Sequence, residues 1–173
     1  MKKRILNVGC GEDTYGTHFF DLFPSRSEVL RCDVNDERFP FPDNSFDEVY
    51  AECLFEHLKN PMNFLVESYR VLKRGGKIIV ITDNAGLWGF LGNVHHGEYE
   101  KIRANERVLG DKHYALFTPS HLKNWLESAK FREIEVNYFF DSKKVMKIHL
   151  LLLKFLMNLN RRFAPHIKAV AKK

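Results

Sequence analysis

The run Ile5-Leu6-Asn7-Val8 leads directly into Gly9-Cys10-Gly11. A strand that ends on two closely spaced glycines lets backbone approach a ligand, because glycine takes tight turns and carries no Cβ to hold the ligand off. An ordinary turn after a strand looks much the same, so the loop alone does not specify a function. Two carboxylates extend the pattern, Asp21 and Asp33. At the end of a neighbouring strand a carboxylate accepts hydrogen bonds from both hydroxyls of a ribose, and one strand further out it meets the amino edge of an adenine. Each also reads as a turn or strand-end aspartate. A dinucleotide fingerprint would want glycine at position 14, where Thr14 stands, which speaks against NAD. For proton transfer the candidates are His57, His95, His96 and His113, with His113 the first choice and His57 the second. His95-His96-Gly97-Glu98, with Asp111 and His113, matches no compact ligand spacing, so a solvated loop is expected there and no metal.

Positioning these residues requires strands and helices in alternation. Strands are expected at 4–8, 46–51, 77–82, 133–139 and 166–171, from β-branched and alternating apolar positions. A helix begins at Pro61 with Asn60 as its cap, places Met62, Leu65, Val66, Tyr69 and Leu72 on one face, and ends at Gly75-Gly76. A second runs from Pro119 to about Lys130 with Thr118 as cap and Leu122, Trp125, Leu126 and Ala129 inward. A third covers about 143–159. Between Gly11 and Asp33 two readings compete. In one, 14–23 is a helix and 28–33 the second strand. In the other, favoured because Gly16 and Thr17 are poor in a helix, 17–21 is the second strand and 28–33 the third. The short connection this leaves counts against it, because parallel strands normally need a dozen connecting residues or more. Strands alternating with helices make an α/β fold around a parallel sheet.

At 173 residues the chain fits one domain, and 15 Phe with 45% hydrophobic residues are ample for its core. The opening Met-Lys-Lys-Arg precedes an apolar run too short for a signal peptide, and 148–159 is too short for a membrane span. Cys10, Cys32 and Cys53 form no metal or disulfide framework. A cytoplasmic protein is expected. Net charge is +5, yet nine basic and no acidic residues lie from Ser142 onward. The first 141 residues therefore carry 18 basic against 22 acidic residues, a net of −4. Basicity belongs to the tail, and a body that grips nucleic acid is not indicated.

Longer segments add a resemblance. Phe39-Pro40-Phe41-Pro42-Asp43-Asn44-Ser45-Phe46-Asp47-Glu48-Val49, then Glu56-His57-Leu58, then Glu67-Ser68-Tyr69-Arg70-Val71-Leu72-Lys73-Arg74-Gly75-Gly76-Lys77 are similar, in order and spacing, to the type 11 group of class I S-adenosylmethionine-dependent methyltransferases. Phe117-Thr118-Pro119 and the strand at 166–172 resemble later parts of the same family. The resemblance implies a Rossmann-like methyltransferase fold with a seven-stranded, mostly parallel sheet ordered 3-2-1-4-5-7-6. The last strand would be antiparallel, helices would cover both faces, and the first crossover helix would be shortened. It also implies S-adenosylmethionine as cofactor, with Gly9, Cys10 and Gly11 beneath its methionine part. Asp21 with Leu22 would serve the ribose, Asp33 with Val34 the adenine, and Ala51 and Glu52 the sulfonium side. If 14–23 were helical, Asp33 would take the ribose. Asn7 stands where an acidic residue is frequent, and Asp13 where a third glycine is frequent.

The expected acceptor is a small molecule, lipid or glycan precursor. Relatives build part of the acceptor lid from helices ahead of the first strand. Here 83–116 is the expected lid, with Trp88, Phe90, Tyr99 and Tyr114 as candidate walls. The basic helix at 142–163 reads as a solvated element, as an interfacial helix on anionic lipid, or, against the acidic body, as an RNA contact. Two alternatives to transfer are a silent nucleotide-binding regulatory module and an NAD-dependent oxidoreductase.

Overall fold

A computed structural model describes residues 2–89, 100–103, 106–109, 113–141 and 147–173. The strands are β1 (Ile5–Val8), β2 (His18–Asp21), β3 (Val29–Arg31), β4 (Phe46–Glu52), β5 (Leu72–Asp83), β6 (Glu100–Arg103), β7 (Glu106–Leu109), β8 (Arg132–Phe139) and β9 (His166–Lys172). The helices are α1 (Pro61–Val71), α2 (Ala85–Trp88), α3 (Pro119–Ser128) and α4 (Lys147–Leu159). Strands β6 and β7 form a separate antiparallel hairpin. The other seven make one sheet in the order β3-β2-β1-β4-β5-β9-β8, which is 3-2-1-4-5-7-6 when those seven are counted alone. Strands β1 to β5 are parallel, and β9 is antiparallel to both its neighbours. The expected topology and its antiparallel last strand are present.

Between β1 and β2 there is no helix, and the favoured strand reading of 17–21 and 28–33 holds with shorter bounds. The nine residues 9–17 suffice because the chain returns along β1 in extended form instead of coiling. Asn7 Nδ2 donates to Asp13 Oδ2 (3.1 Å) and to Tyr15 O (3.0 Å), and Thr17 N donates to Ile5 O (2.9 Å). Gly16 sits at φ 131, where a Cβ would lie 3.3 Å from Ile5 O. An extended chain covers ~3.3–3.6 Å per residue, so four or five residues span the length of β1.

Two expectations for α1 are corrected. The helix ends at Val71, ahead of Gly75-Gly76, because Leu72 is already extended and paired with Phe46 of β4. Its last carbonyls find donors outside the helix, Asn44 N on Arg70 O and Ser45 N on Val71 O. Its buried face is Phe64, Leu65, Glu67, Ser68 and Val71, while Val66 is 49% exposed. Glu67 turns inward because it accepts from Phe39 N (2.9 Å) and from Arg70, whose guanidinium also donates to Phe39 O and Phe41 O. That network clamps the segment before β4 over the core, where Phe39 meets Phe20 with ring centroids 4.7 Å apart and Phe41 meets Phe46 at 4.9 Å. Full burial of Phe20, Phe39 and Phe46 contributes about 1.5–3 kcal/mol each. For α3, Leu122, Leu126 and Ala129 are buried as expected and Trp125 half-buried, and the caps at Asn60 and Thr118 are both formed.

Candidate functional site

The ends of β1, β2, β4 and β5 share one edge of the sheet, the edge where open α/β sheets place ligands. After Val8 the chain turns through Gly9 (φ 64) and Gly11 (φ 52), backbone that side-chain-bearing residues adopt at a cost. A Cβ on Gly9 would lie 2.7 Å from Leu54 Cδ1, so the first glycine makes room for a side chain of the protein itself. A Cβ on Gly11 would meet nothing within 4 Å. The open side of the loop is therefore at Gly11. Cys10, between them, is buried, and burial with the nearby Asp21 pushes its thiol up to about 11.

Asp21 is 6% exposed and braces the loop: Oδ2 accepts from Gly11 N (2.8 Å) and Oδ1 from Phe23 N (2.9 Å). Arg26 and Ser25 hold the loop's carbonyls, the guanidinium on Glu12 O and Asp13 O and the hydroxyl on Gly11 O. Leu22 is half-buried beside Asp21. Asp33 is half-buried too, and its bonds from Asn35 N (2.9 Å) and Asn35 Nδ2 (3.0 Å) both fall on Oδ1. Val34 is in the hydrophobic core, and Asn63 Nδ2 donates to its carbonyl. At the end of β4, Ala51 is buried and Glu52 Oε2 accepts from Tyr50 OH (2.8 Å). The chain then leaves through Cys53 at φ 50, a left-handed non-glycine residue.

Asn7, 1% exposed, is an amide for a reason visible here. Its Nδ2 donates twice, once to the Asp13 carboxylate, and a carboxylate at position 7 could donate neither bond. Nearby Glu48 accepts from Tyr15 OH (2.6 Å) and pairs with Lys3 and Lys77. Burial would raise Glu48, but these partners hold it below its ordinary value, while its hydrogen bond pushes Tyr15 up to about 12.

The second half of the edge lies at the end of β5. Asp83 is 6% exposed, with Oδ2 3.4 Å from His113 Nδ1 and Oδ1 3.5 Å from His166 Nε2. The rings of His113 and His57 meet edge-on with centroids 4.5 Å apart, so both histidines expected for proton transfer stand together. The segment carrying His113 is tied across the edge by Tyr114 N on Glu56 O (2.8 Å) and Ala85 N on Phe117 O (3.0 Å). Glu56 is 1% exposed, and Thr82 Oγ1 donates to its Oε2 at 2.6 Å. Burial first, and the charge of Asp83 second, push Glu56 up to about 8. Burial raises Asp83 to about 6. Burial thus favours the protonated form of both carboxyls, and more strongly at Glu56, while the histidines face Asp83.

Glu56, Thr82, Asp83 and His166 are absent from the residues expected from sequence. Glu56 was within reach, inside the Glu56-His57-Leu58 segment, and Asp83 follows from the rule that strand ends at this edge carry ligands. Among the expected lid walls, Trp88 Nε1 donates to Pro165 O (2.9 Å) and Tyr114 is 50% exposed. Phe90, Tyr99, His95 and His96 lie outside the described residues, as does 142–146 of the basic helix. Among the described residues no His/Cys/Asp/Glu group could hold a metal ion. An open cleft of about 450 Å³ beside Met62, Ala115–Phe117 and Trp125 touches none of the glycines or carboxylates above.

Residues 21–80 match the family model described as methyltransferase domain. The chain is 35% identical over 85 residues to a ubiquinone/menaquinone biosynthesis C-methyltransferase of Cupriavidus necator, covering 48% of this chain and 34% of that one. It is 29% identical over 125 residues to a 25S rRNA (adenine(645)-N(1))-methyltransferase of Schizosaccharomyces pombe, covering 65% and 38%. The chain spans about a third to a half of the length of the curated relatives it matches. A solved SAM-dependent methyltransferase of Thermotoga maritima superposes with TM-score 0.68 at 18% identity, covering 100% of this chain and 83% of that one, a likeness of fold. Residues 21–80 are thus similar to a methyltransferase domain, and the chain has the fold of the solved S-adenosylmethionine-dependent methyltransferases.

Proposed function

We propose that this protein binds S-adenosylmethionine over Gly9–Gly11 and transfers its methyl group to a small molecule, lipid or glycan precursor. The observation that carries the reading is the shared edge. A glycine loop open at Gly11, braced by Asp21, stands on the same rim as a buried Asp83 facing His113. The residues present suit the cofactor. Gly11 has free space where a side chain would sit, and the bonds to the Asp33 carboxylate fall on one oxygen, so Oδ2 is the acceptor for a ribose or adenine donor. Asp21, with both oxygens on backbone N–H groups, shapes the loop and adds negative charge beneath the ribose. Leu22, Val34, Ala51 and Glu52 would flank the adenosine and the sulfonium.

Bound S-adenosylmethionine would supply an activated methyl group, which leaves alignment and proton handling to the protein. His113 Nε2 takes the proton released by the acceptor's oxygen or nitrogen as that atom gains the methyl. Asp83, on the Nδ1 side, orients the ring and stabilises the imidazolium. His57 packs against that ring and limits its rotation. Calorimetry with S-adenosylmethionine, S-adenosylhomocysteine and NAD tests the reading. Binding of both sulfur nucleotides and not NAD is expected. Folded protein that binds neither sulfur nucleotide contradicts the proposal, and binding without turnover on any acceptor favours the silent regulatory module.

A further inference from the structure

Strands β8 and β9 are antiparallel neighbours, and two residues are enough to join such a pair. Here the chain instead makes an excursion that carries α4 and a 3-10 turn, Arg161–Phe163. Both ends of the excursion lie at the edge where β5 ends, because Phe139 pairs with His166 and His166 with Asp83. Its return is fastened to that edge. Asn84 Nδ2 donates to Arg162 O (2.8 Å) and Ala164 O (2.7 Å), and Trp88 Nε1 donates to Pro165 O.

Past Asp141 the excursion carries basic and apolar residues and no acidic ones. In the last half of α4, Leu153, Leu156 and Met157 are half-buried, whereas Phe155 and Leu159 are 59% and 66% exposed. Lys154, Arg161 and Arg162 are exposed around them. No acidic residue occurs from Ser142 onward, against a net of −4 in the rest of the chain. Large apolar side chains held in water among cations match the boundary of an anionic bilayer, apolar below and phosphate above. We propose that α4 is an interfacial helix that seats this edge of the sheet on an anionic lipid surface, with Phe155 and Leu159 in the acyl boundary and Lys154, Arg161 and Arg162 on lipid phosphates. RNA offers the same phosphates but nothing for Phe155 and Leu159, and the acidic body repels it. No helix among the described residues is long and apolar enough to cross a membrane. Taken with the methyl-transfer reading, the helix would bring the Asp83–His113 end of the edge to acceptors held in the bilayer.

The test is co-sedimentation at low salt with phosphatidylglycerol–phosphatidylcholine vesicles and with phosphatidylcholine alone, alongside a structured RNA. It reads no turnover and so stands apart from whether methyl is transferred. Pelleting with the anionic vesicles only, weakened by salt, is expected. Phe155→Ser with Leu159→Ser should weaken binding by about tenfold or more at an unchanged thermal midpoint. Lys154→Glu with Arg161→Glu, at exposed positions, should do the same. Three results overturn the proposal. One is protein left in the supernatant with anionic vesicles, and another is vesicle binding indifferent to both variant pairs. The third is RNA binding that survives Phe155→Ser with Leu159→Ser while vesicles leave the protein in solution.

Discussion

Asp83 and His113 face each other with Oδ2 3.4 Å from Nδ1, at the end of β5 on the rim that also carries the glycine loop. The carboxylate is buried and the chain holds the histidine from outside the sheet, through Tyr114 N on Glu56 O. On the methyl-transfer reading the histidine would be the base and Asp83 its orienting acid. His113→Gln should lower kcat by roughly 10²-fold or more while S-adenosylhomocysteine affinity stays unchanged. Asp83→Asn should also lower kcat and shift the acid limb of the kcat/KM profile to lower pH, since the imidazolium loses its counter-charge. An unmoved limb would leave Asp83 a purely structural role.

Glu56 predicts a pH dependence of stability. Its folded pKa of about 8 stands above the ordinary 4.5, so the folded state holds the proton more tightly than the unfolded one. That stabilisation is complete below about 4.5 and is lost as pH rises towards about 8. Urea midpoints should fall between those limits for the native protein and change less for Glu56→Gln, which keeps an acceptor for Thr82. Parallel curves for the two proteins would show that Glu56 ionises freely in the fold.

Asn7→Asp should destabilise the fold by about 1–3 kcal/mol, because two donated bonds are lost and a carboxylate is set against Asp13. Adding Asp13→Asn restores a donor to the pair and should recover part of the loss. Chemical denaturation of the single and double variants measures both steps, and a single variant as stable as the parent would refute the assignment.

The two loop glycines should respond differently. Gly9→Ala drives a methyl against Leu54 and should reduce stability the more of the two. Gly11→Ala meets open space, so its stability cost is the backbone strain alone, about 1–2 kcal/mol. Its added methyl stands where the cofactor would pass, so affinity for S-adenosylhomocysteine should fall by about tenfold or more, a loss of about 1.4 kcal/mol. Paired calorimetry and thermal melts separate the two effects.

Asp33→Ala should weaken cofactor binding by more than about tenfold, again above about 1.4 kcal/mol, and leave the fold intact. Unchanged affinity by calorimetry would mean that the adenosine lies elsewhere on the rim.

The sheet order was legible only through the family resemblance, whereas local chemistry marked the elements themselves: a buried Ile-Ile-Val-Ile run, Asn60 with Pro61, Thr118 with Pro119. The segment most informative for kinship, from Phe39 to Val49, proves to be scaffold, clamped by Glu67 and Arg70 and packed on Phe20. The buried face of α1 was misread because Glu67 looks like a solvent residue until Phe39 N and Arg70 supply its partners. Asn7 looked like a departure from the family until the helix-free return of 9–17 showed which bonds it donates. Asp83 and Glu56 lie 27 positions apart, and only the pairing of β4 with β5 and the hydrogen bond from Thr82 bring them together. Pairings of that kind leave no periodic trace in a sequence.

In the proposed site the cofactor lies over Gly9, Gly11 and Asp33. An amide NMR titration of the folded protein with S-adenosylhomocysteine tests it most directly. Saturable shifts centred on Gly9, Gly11 and Asp33 are expected. Saturating ligand that leaves all three amides in place would contradict that placement.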